Sequence, residues 1–154
     1  MSAEASSNHI RVVLDTNVLL SLYVFADSRF AALRGQIESG RWQAITNAEC
    51  RAEFARVLNY PMFNLATNAQ EITLAQYQST ALEIVVPLAS TTPVLLPRCT
   101  DPDDQKFLEL ARDSSAALLI TSDKALLKLS RHLVKSGMFR VFTPDAAMAR
   151  IAGV

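Results

Sequence analysis

Carboxylates from four separated stretches are the residues of this sequence best suited to chemistry: Asp15, Glu49 with Glu53, Asp101 with Asp103 and Asp104, and Asp123. Carboxylates that crowd together repel one another and raise each other's pKa unless a cation intervenes. Oxygen donors without thiolate or imidazole companions point to a hard ion, Mg²⁺ or Mn²⁺. Cys50 and Cys99 lie far apart, with no CxxC spacing and no nearby His. They read as ordinary buried thiols of a cytoplasmic protein, not as zinc ligands. The glycines, at Gly35, Gly40, Gly137 and Gly153, build no phosphate-cradling loop.

Whether the carboxylates meet depends on the elements that carry them. Arg11–Leu14 is a compact apolar run, expected as a buried strand that ends on Asp15. Helices are expected over Val18–Phe25, from a Ser28 cap to Gly40, over Ala48–Leu58 behind an Asn47 cap, and over Ala69–Ile84 behind Asn68. Trp42–Thr46, Ala116–Thr121 and Arg140–Thr143 read as further strands. Val85–Leu96, punctuated by Pro87, Pro93 and Pro97, is at best an edge strand. Asp101–Asp104 opens a helix with Phe107, Leu108, Leu110 and Ala111 on its apolar face; Lys124–Leu133 is helical, and Pro144 starts a short terminal helix.

Strands separated by helices make βαβ units. The expected fold class is therefore α/β: one domain over residues 10–154, with a parallel sheet of four or five strands and helices on both faces. Residues 1–9 are expected to form a disordered tail. In such a sheet ligands collect beyond the carboxyl ends of the strands. Asp15, Asp123 and the loop leading into Asp101–Asp104 all belong to that edge.

The chain has 154 residues, 15 Lys and Arg against 15 Asp and Glu, and is 50% hydrophobic. Such composition excludes a disordered chain, a collagen-like chain and a disulfide scaffold. Zero net charge excludes holding nucleic acid by bulk positive charge. The balance is uneven, however, with six basic and eight acidic residues over 1–97 and nine and seven over 98–154. Lys124, Lys128, Arg131, Lys135 and Arg140 follow Asp123 without an intervening acid. Their adjacency to Asp123 favours phosphate tracking over a merely solvated helix face. The longest apolar stretch, Val12–Ala26, is broken by Asp15, Thr16 and Asn17 and falls short of the ~20 residues of a membrane span. No aromatic-rich platform for stacking unpaired bases is visible along the chain.

Each acid also has an ordinary structural role open to it. Asp101 can cap a helix whose first residue is Pro102, with Asp104 completing a capping box. Glu49 and Glu53 can pair with Arg51 or Arg56, and Asp123 can cap the helix that starts at Lys124. Asp15 is the exception, because no capping run stands directly behind it. Singly these roles account for most of the acids; jointly, at one sheet edge, they do not.

The stretch Leu14-Asp15-Thr16-Asn17-Val18-Leu19-Leu20 resembles the opening motif of the PIN-domain nucleases. Ala52-Glu53-Phe54-Ala55-Arg56-Val57-Leu58 resembles their second acidic motif. Asp101-Pro-Asp-Asp104 followed by Phe107-Leu-Glu-Leu-Ala111 resembles the third, and Ile120-Thr121-Ser122-Asp123-Lys124 the fourth. The order and spacing agree from about Arg11 to Pro144. The resemblance implies a metal-dependent endoribonuclease that hydrolyses RNA phosphodiester bonds with Mg²⁺ or Mn²⁺. It places the acidic quartet on Asp15, Glu53, Asp104 and Asp123, with Glu53 binding a second ion or positioning water. Asp101 joins the metal shell through water, and Glu49 matches less well. Thr16, Asn17 and Thr121 are read as groups that orient the carboxylates. Ser122, where the family often has Gly, can hydrogen-bond a ligand or phosphate. Lys124, Lys128 and Arg131 are read as RNA contacts.

Within the family the chain looks like the bacterial toxins of type II toxin–antitoxin pairs. That implies a cognate antitoxin protein, a homodimer and a cytoplasmic location without membrane association. The alternatives are a catalytically silent PIN module that binds proteins and, behind it, a phosphoacceptor receiver domain. A receiver needs an acidic pair just before its first helix and a lone phosphorylated Asp mid-chain, and neither is evident.

Overall fold

Val12 and Leu14 point to one face of the first strand and Val13 to the other, and all are buried, as a strand covered on both sides requires. The computed structural model describes residues 10–85 and 94–153; the expected tail over residues 1–9 lies outside them. Five strands, β1 (Ile10–Leu14), β2 (Trp42–Thr46), β3 (Leu82–Glu83), β4 (Leu118–Ile120) and β5 (Arg140–Phe142), form one parallel sheet in the order β3-β2-β1-β4-β5. The fold is α/β, with helices on both faces.

On one face Val12, Leu14, Ala44, Leu118 and Ile120 pack beneath α1 (Thr16–Leu19, continued by a π-helical turn over Leu20–Val24), α2 (Ala31–Glu38), α3 (Ala48–Leu58), α4 (Thr67–Thr80) and α8 (Pro144–Ile151). On the other, Val13, Ile45, Leu119 and Val141 pack beneath α5 (Gln105–Asp113), α6 (Lys124–Leu127) and α7 (Ser130–Lys135). The chain builds outward from β1 to β3, then returns to the opposite side of β1 for β4 and β5. The reversal leaves a crevice beyond the carboxyl ends of β1 and β4, the usual ligand position in open parallel sheets. Leu14 pairs with Ile120 in the register, so Asp15 and Thr121 leave the sheet side by side. A receiver domain has the order 2-1-3-4-5, and the order found here removes that reading.

Several local expectations change. The first helix begins at Thr16 rather than Val18 because Asp15 is its cap, accepting from the Val18 N–H at 2.9 Å. The supposed lack of a capping run behind Asp15 is thus overturned. Asp27, not Ser28, caps the turn before α2. The helix expected over Ala69–Ile84 instead runs over Thr67–Thr80, beginning ahead of Asn68. Ala81 turns extended, and Leu82–Glu83 add to the free edge of β2, with Ile84 N–H on the Thr46 carbonyl at 3.0 Å. Sheet pairing there overrides helix periodicity. Of the edge strand expected over Val85–Leu96, residues 86–93 lie outside the described residues and Val94–Leu96 form no strand; among the described residues β3 takes the sheet edge beside β2. The helix expected over Lys124–Leu133 breaks near Leu129, whose N–H takes the tighter three-residue bond to Leu126 (3.0 Å), and Leu126 and Leu133 both reach the core. Among the described residues no helix is long and apolar enough to cross a membrane.

Candidate active site

Asp15 enters the crevice directly from β1. It is only 3% exposed, and both of its oxygens are held: Oδ1 accepts from Val18 N–H, and Oδ2 accepts from the Thr121 hydroxyl. The Thr121 oxygen in turn accepts from Asp123 N–H at 2.9 Å, so a single buried hydroxyl ties the ends of β1 and β4 together. Asp123 caps α6 by accepting from Ala125 N–H at 2.8 Å. Asp101 caps a 3₁₀ turn, Pro102–Asp104, and accepts from Asp103 N–H at 3.0 Å. No bond joins the Asp101 N–H to the Asp104 side chain among the described residues, so the capping box expected there is not formed.

That turn carries Asp104 toward Asp123. Asp101, Asp104 and Asp123 each present a carboxylate oxygen within 4.8 Å of the others. Asp104 Oδ2 is buried and no donor among the described residues reaches it. Burial first, then a proton shared with Asp123 and that neighbour's charge, pushes Asp104 up to about 8. The same shared hydrogen bond holds Asp123 below the usual carboxylate range. Burial also pushes Asp15 up to about 6, against the pull of the Thr121 and Val18 hydrogen bonds, with Asp123 and Glu53 adding to the rise. Among the described residues no Lys or Arg pairs with Asp15, Asp101, Asp104 or Asp123.

Glu53 is placed differently. It projects from the middle of α3, accepts from the Thr16 hydroxyl and pairs with Lys106 Nζ at 2.5 Å and, more loosely, with Arg56 at 3.8 Å. The Lys106 and Glu53 side chains are 10% and 16% exposed. Glu53 lies outside the carboxylate trio, although it lines the same cleft as Asp15 and Asp104. The cleft has a volume of about 310 Å³, and Leu20, Val57, Tyr60, Met62 and Phe63 also line it.

The donor set suits a hard divalent ion. Two ligands on opposite sides of one Mg²⁺ are about 4.2 Å apart, a span comparable to that of the trio's oxygens, and Asp104 supplies a buried oxygen still lacking a partner. Asp15 keeps free lone pairs on both oxygens after its two hydrogen bonds. The thiols are unsuitable, since Cys50 and Cys99 are free and buried, with burial raising both and taking Cys50 up to about 12.

A family model described as a PIN domain matches residues 11–125, from β1 to the first turn of α6. The chain belongs to the PIN-domain family. PIN domains are typically nucleases and generally use divalent metals. No curated protein matches the chain.

The remaining positions of interest in this PIN domain are more scattered. Asn17 is exposed and lines the cleft beside Asp15. Ser122 is exposed between Thr121 and Asp123, and Glu49 is exposed at the start of α3, outside the trio. Lys124, Lys128 and Arg131 are all exposed along α6, α7 and the break between them. Sequence reasoning passed over Lys106, which no motif spacing singles out, and the apolar lining of the cleft. Aromatic residues far apart in the chain do meet in three dimensions. Phe25 and Phe63 pack edge to face at a centroid distance of 5.8 Å, and Tyr60 lies three residues before Phe63. The chain turns after each of these phenylalanines through a left-handed residue, Ala26 (φ 45°) and Asn64 (φ 50°). No aromatic run exists because the members come from two loops.

Proposed function

We propose that this PIN domain is a metal-dependent endoribonuclease that hydrolyses RNA phosphodiester bonds with Mg²⁺ or Mn²⁺. The observation that carries the reading is the buried Oδ2 of Asp104, without a partner among the described residues, beside Asp101 and Asp123, a concentration of negative charge that no Lys or Arg among those residues pairs with. Asp104, Asp123 and Asp15 would hold the ion, with Asp101 at its edge. When bound, the ion supplies a water of lowered pKa and neutralises charge on the scissile phosphate.

The chain's own residues do the rest. Thr121 holds Asp15 by donating its hydroxyl and holds Asp123 by accepting that residue's backbone N–H, fixing both in one arrangement. Thr16 and Lys106 orient Glu53 toward the cleft, where its carboxylate can position water. Asn17 and Ser122 flank the scissile phosphate, while Lys124, Lys128 and Arg131 extend the phosphate path along α6 and α7. At a finer level we read the protein as a cytoplasmic toxin of a type II toxin–antitoxin pair, inhibited by a cognate antitoxin and assembled as a homodimer; this rests on the motif resemblance.

The test is cleavage of mixed structured and unstructured RNA by wild type and Asp104→Asn in Mg²⁺, Mn²⁺ or EDTA. Cleavage that needs the metal and is lost in the variant is the expected result. Metal-independent cleavage, or full activity in Asp104→Asn, overturns the mechanism. The toxin reading expects growth arrest on expression, relieved by a small neighbouring gene product; expression without effect on growth counts against it.

A further inference from the structure

The cleft has two kinds of lining. Its carboxylates are accounted for by the proposed hydrolysis, but Leu20, Val57, Tyr60, Met62 and Phe63 line the same cleft and have no part in it. Met62 is 79% exposed and Tyr60 42%, and Phe25, which braces Phe63 from behind, is 61%. Large apolar side chains gathered at the rim of a cleft mark a binding surface. We propose that this apolar lining is a subsite for one unpaired nucleobase of the RNA strand, adjacent to the phosphate held at the carboxylates. The proposal rests on the endoribonuclease reading.

Spacing supports that occupant. Glu53, Val57 and Tyr60 follow one another at intervals of four and three residues, one stripe of a helix. Tyr60 N–H still bonds the Val57 carbonyl at 3.0 Å, so the stripe continues past the end of α3. At 1.5 Å per residue Tyr60 stands about 10 Å along from Glu53, the reach of a nucleotide whose phosphate sits among the carboxylates. The volume of about 310 Å³ is at the small end for ligand sites and is shared with the carboxylates. A cleft of that size suits one planar base better than an amphipathic helix, which is about 10 Å across and needs several anchors.

Chemistry sets the selectivity. Rings and aliphatic groups offer a face to stack on, while these residues carry few hydrogen-bonding groups to read a base edge. Stacking of that kind tolerates any base but needs it unpaired, because a duplex hides base faces within the stack. The nucleotide beside the cut is therefore selected for being unpaired rather than for its identity.

A two-way cycle with the full-length protein tests this, pairing Tyr60→Ala with an RNA oligomer made abasic at each position around the cut. In wild type one abasic position should lower kcat/KM by roughly 5- to 150-fold, the range expected for one stacked base. Tyr60→Ala should lose a similar factor on intact RNA, mainly through KM, and combining both changes should cost little more. Tyr60→Phe, which keeps the ring, should stay close to wild type, and thermal melts check that each variant is folded. Additive losses, or a Tyr60→Ala protein that cuts intact RNA as wild type does, overturn the subsite while leaving the nuclease standing. Loss of binding to a defined co-expressed antitoxin with the RNA cycle additive assigns the surface to protein and likewise overturns it. A wild type that cuts no RNA with either metal brings down the nuclease reading and the subsite together.

Discussion

Asp15→Asn separates the cost of a buried carboxylate from its value as a helix cap. Asn caps helices about as well as Asp, so the bond from Val18 N–H survives. The charge does not survive, and the charge is what burial penalises. A rise from 3.8 to about 6 makes ionisation of Asp15 about 3 kcal/mol costlier in the metal-free fold than in the unfolded chain. Because the folded pKa is raised, this group's stabilising contribution is present below pH 3.8 and lost as the pH climbs through 6. One term opposes the variant. The Thr121 oxygen already accepts from Asp123 N–H, so an Asn amide turned toward it leaves the Thr121 proton without its acceptor, at roughly 1 kcal/mol or more. In EDTA at pH 8 the variant should therefore be more stable by about 1–2 kcal/mol, or roughly 2–8 °C in Tm for a chain of this size. At pH 4.5 the advantage should vanish or reverse. Mn²⁺ at a hundred times its Kd should lift wild type alone by about 2.7 kcal/mol and invert the order at pH 8. Differential scanning fluorimetry across pH, with and without Mn²⁺, reads all three. A variant less stable than wild type at pH 8 in EDTA would refute the reasoning, because Asp15 would then be serving the fold first.

Other perturbations test neighbouring parts of the site. Lys106→Met leaves Glu53 with only Thr16 and the looser Arg56, and should cost about 2 kcal/mol in urea denaturation, below the full penalty of a broken buried pair. Lys106→Met with Glu53→Gln should recover most of it, and an additive loss would show that the pair is not coupled. Thr121→Val removes the donor to Asp15 and the acceptor for Asp123 N–H. It should lower stability by about 2 kcal/mol and weaken Mn²⁺ binding by calorimetry tenfold or more; Thr121→Ser should restore both, and failure to do so means the methyl group matters more than the hydroxyl. Replacing Lys124, Lys128 and Arg131 with Gln should flatten the salt dependence of single-stranded RNA binding by a log–log slope of about 2, and an unchanged slope takes these residues off the RNA path.

What could be read ahead of the structure was governed by how local its cause is. The β1 run ending on Asp15, the Asn47 cap and the apolar face of α5 follow from neighbours a few positions apart, and all reappear. Asp15 as a cap was hidden because the polar Asp15-Thr16-Asn17 reads as a loop ahead of a helix at Val18, yet the chain coils at once from Thr16. The two residues of β3 carry no period; they are extended because the edge of β2 is there to receive them. Lys106 and the Phe25–Tyr60–Phe63 group were illegible for the same reason. Their roles arise between elements, from α3 meeting α5 and from two loops meeting at a rim.

Local charge pairing sets Glu53 apart from Asp104 within the cleft. Glu53 is also nearly buried, yet it has Lys106 beside it and a hydroxyl from Thr16, so its charge is answered inside the protein. Asp104 is answered by neither, and its alternatives are a proton shared with Asp123 or an external cation. The proton is the weaker solution above pH 8, where Asp104 gives it up, and the carboxylates then repel at close range. A purely structural cluster would have no reason to leave that repulsion unrelieved while supplying a lysine two residues further on to a different acid. The placement of Lys106 on Glu53 rather than on Asp104 is thus the arrangement expected if the trio's charge is reserved for a ligand.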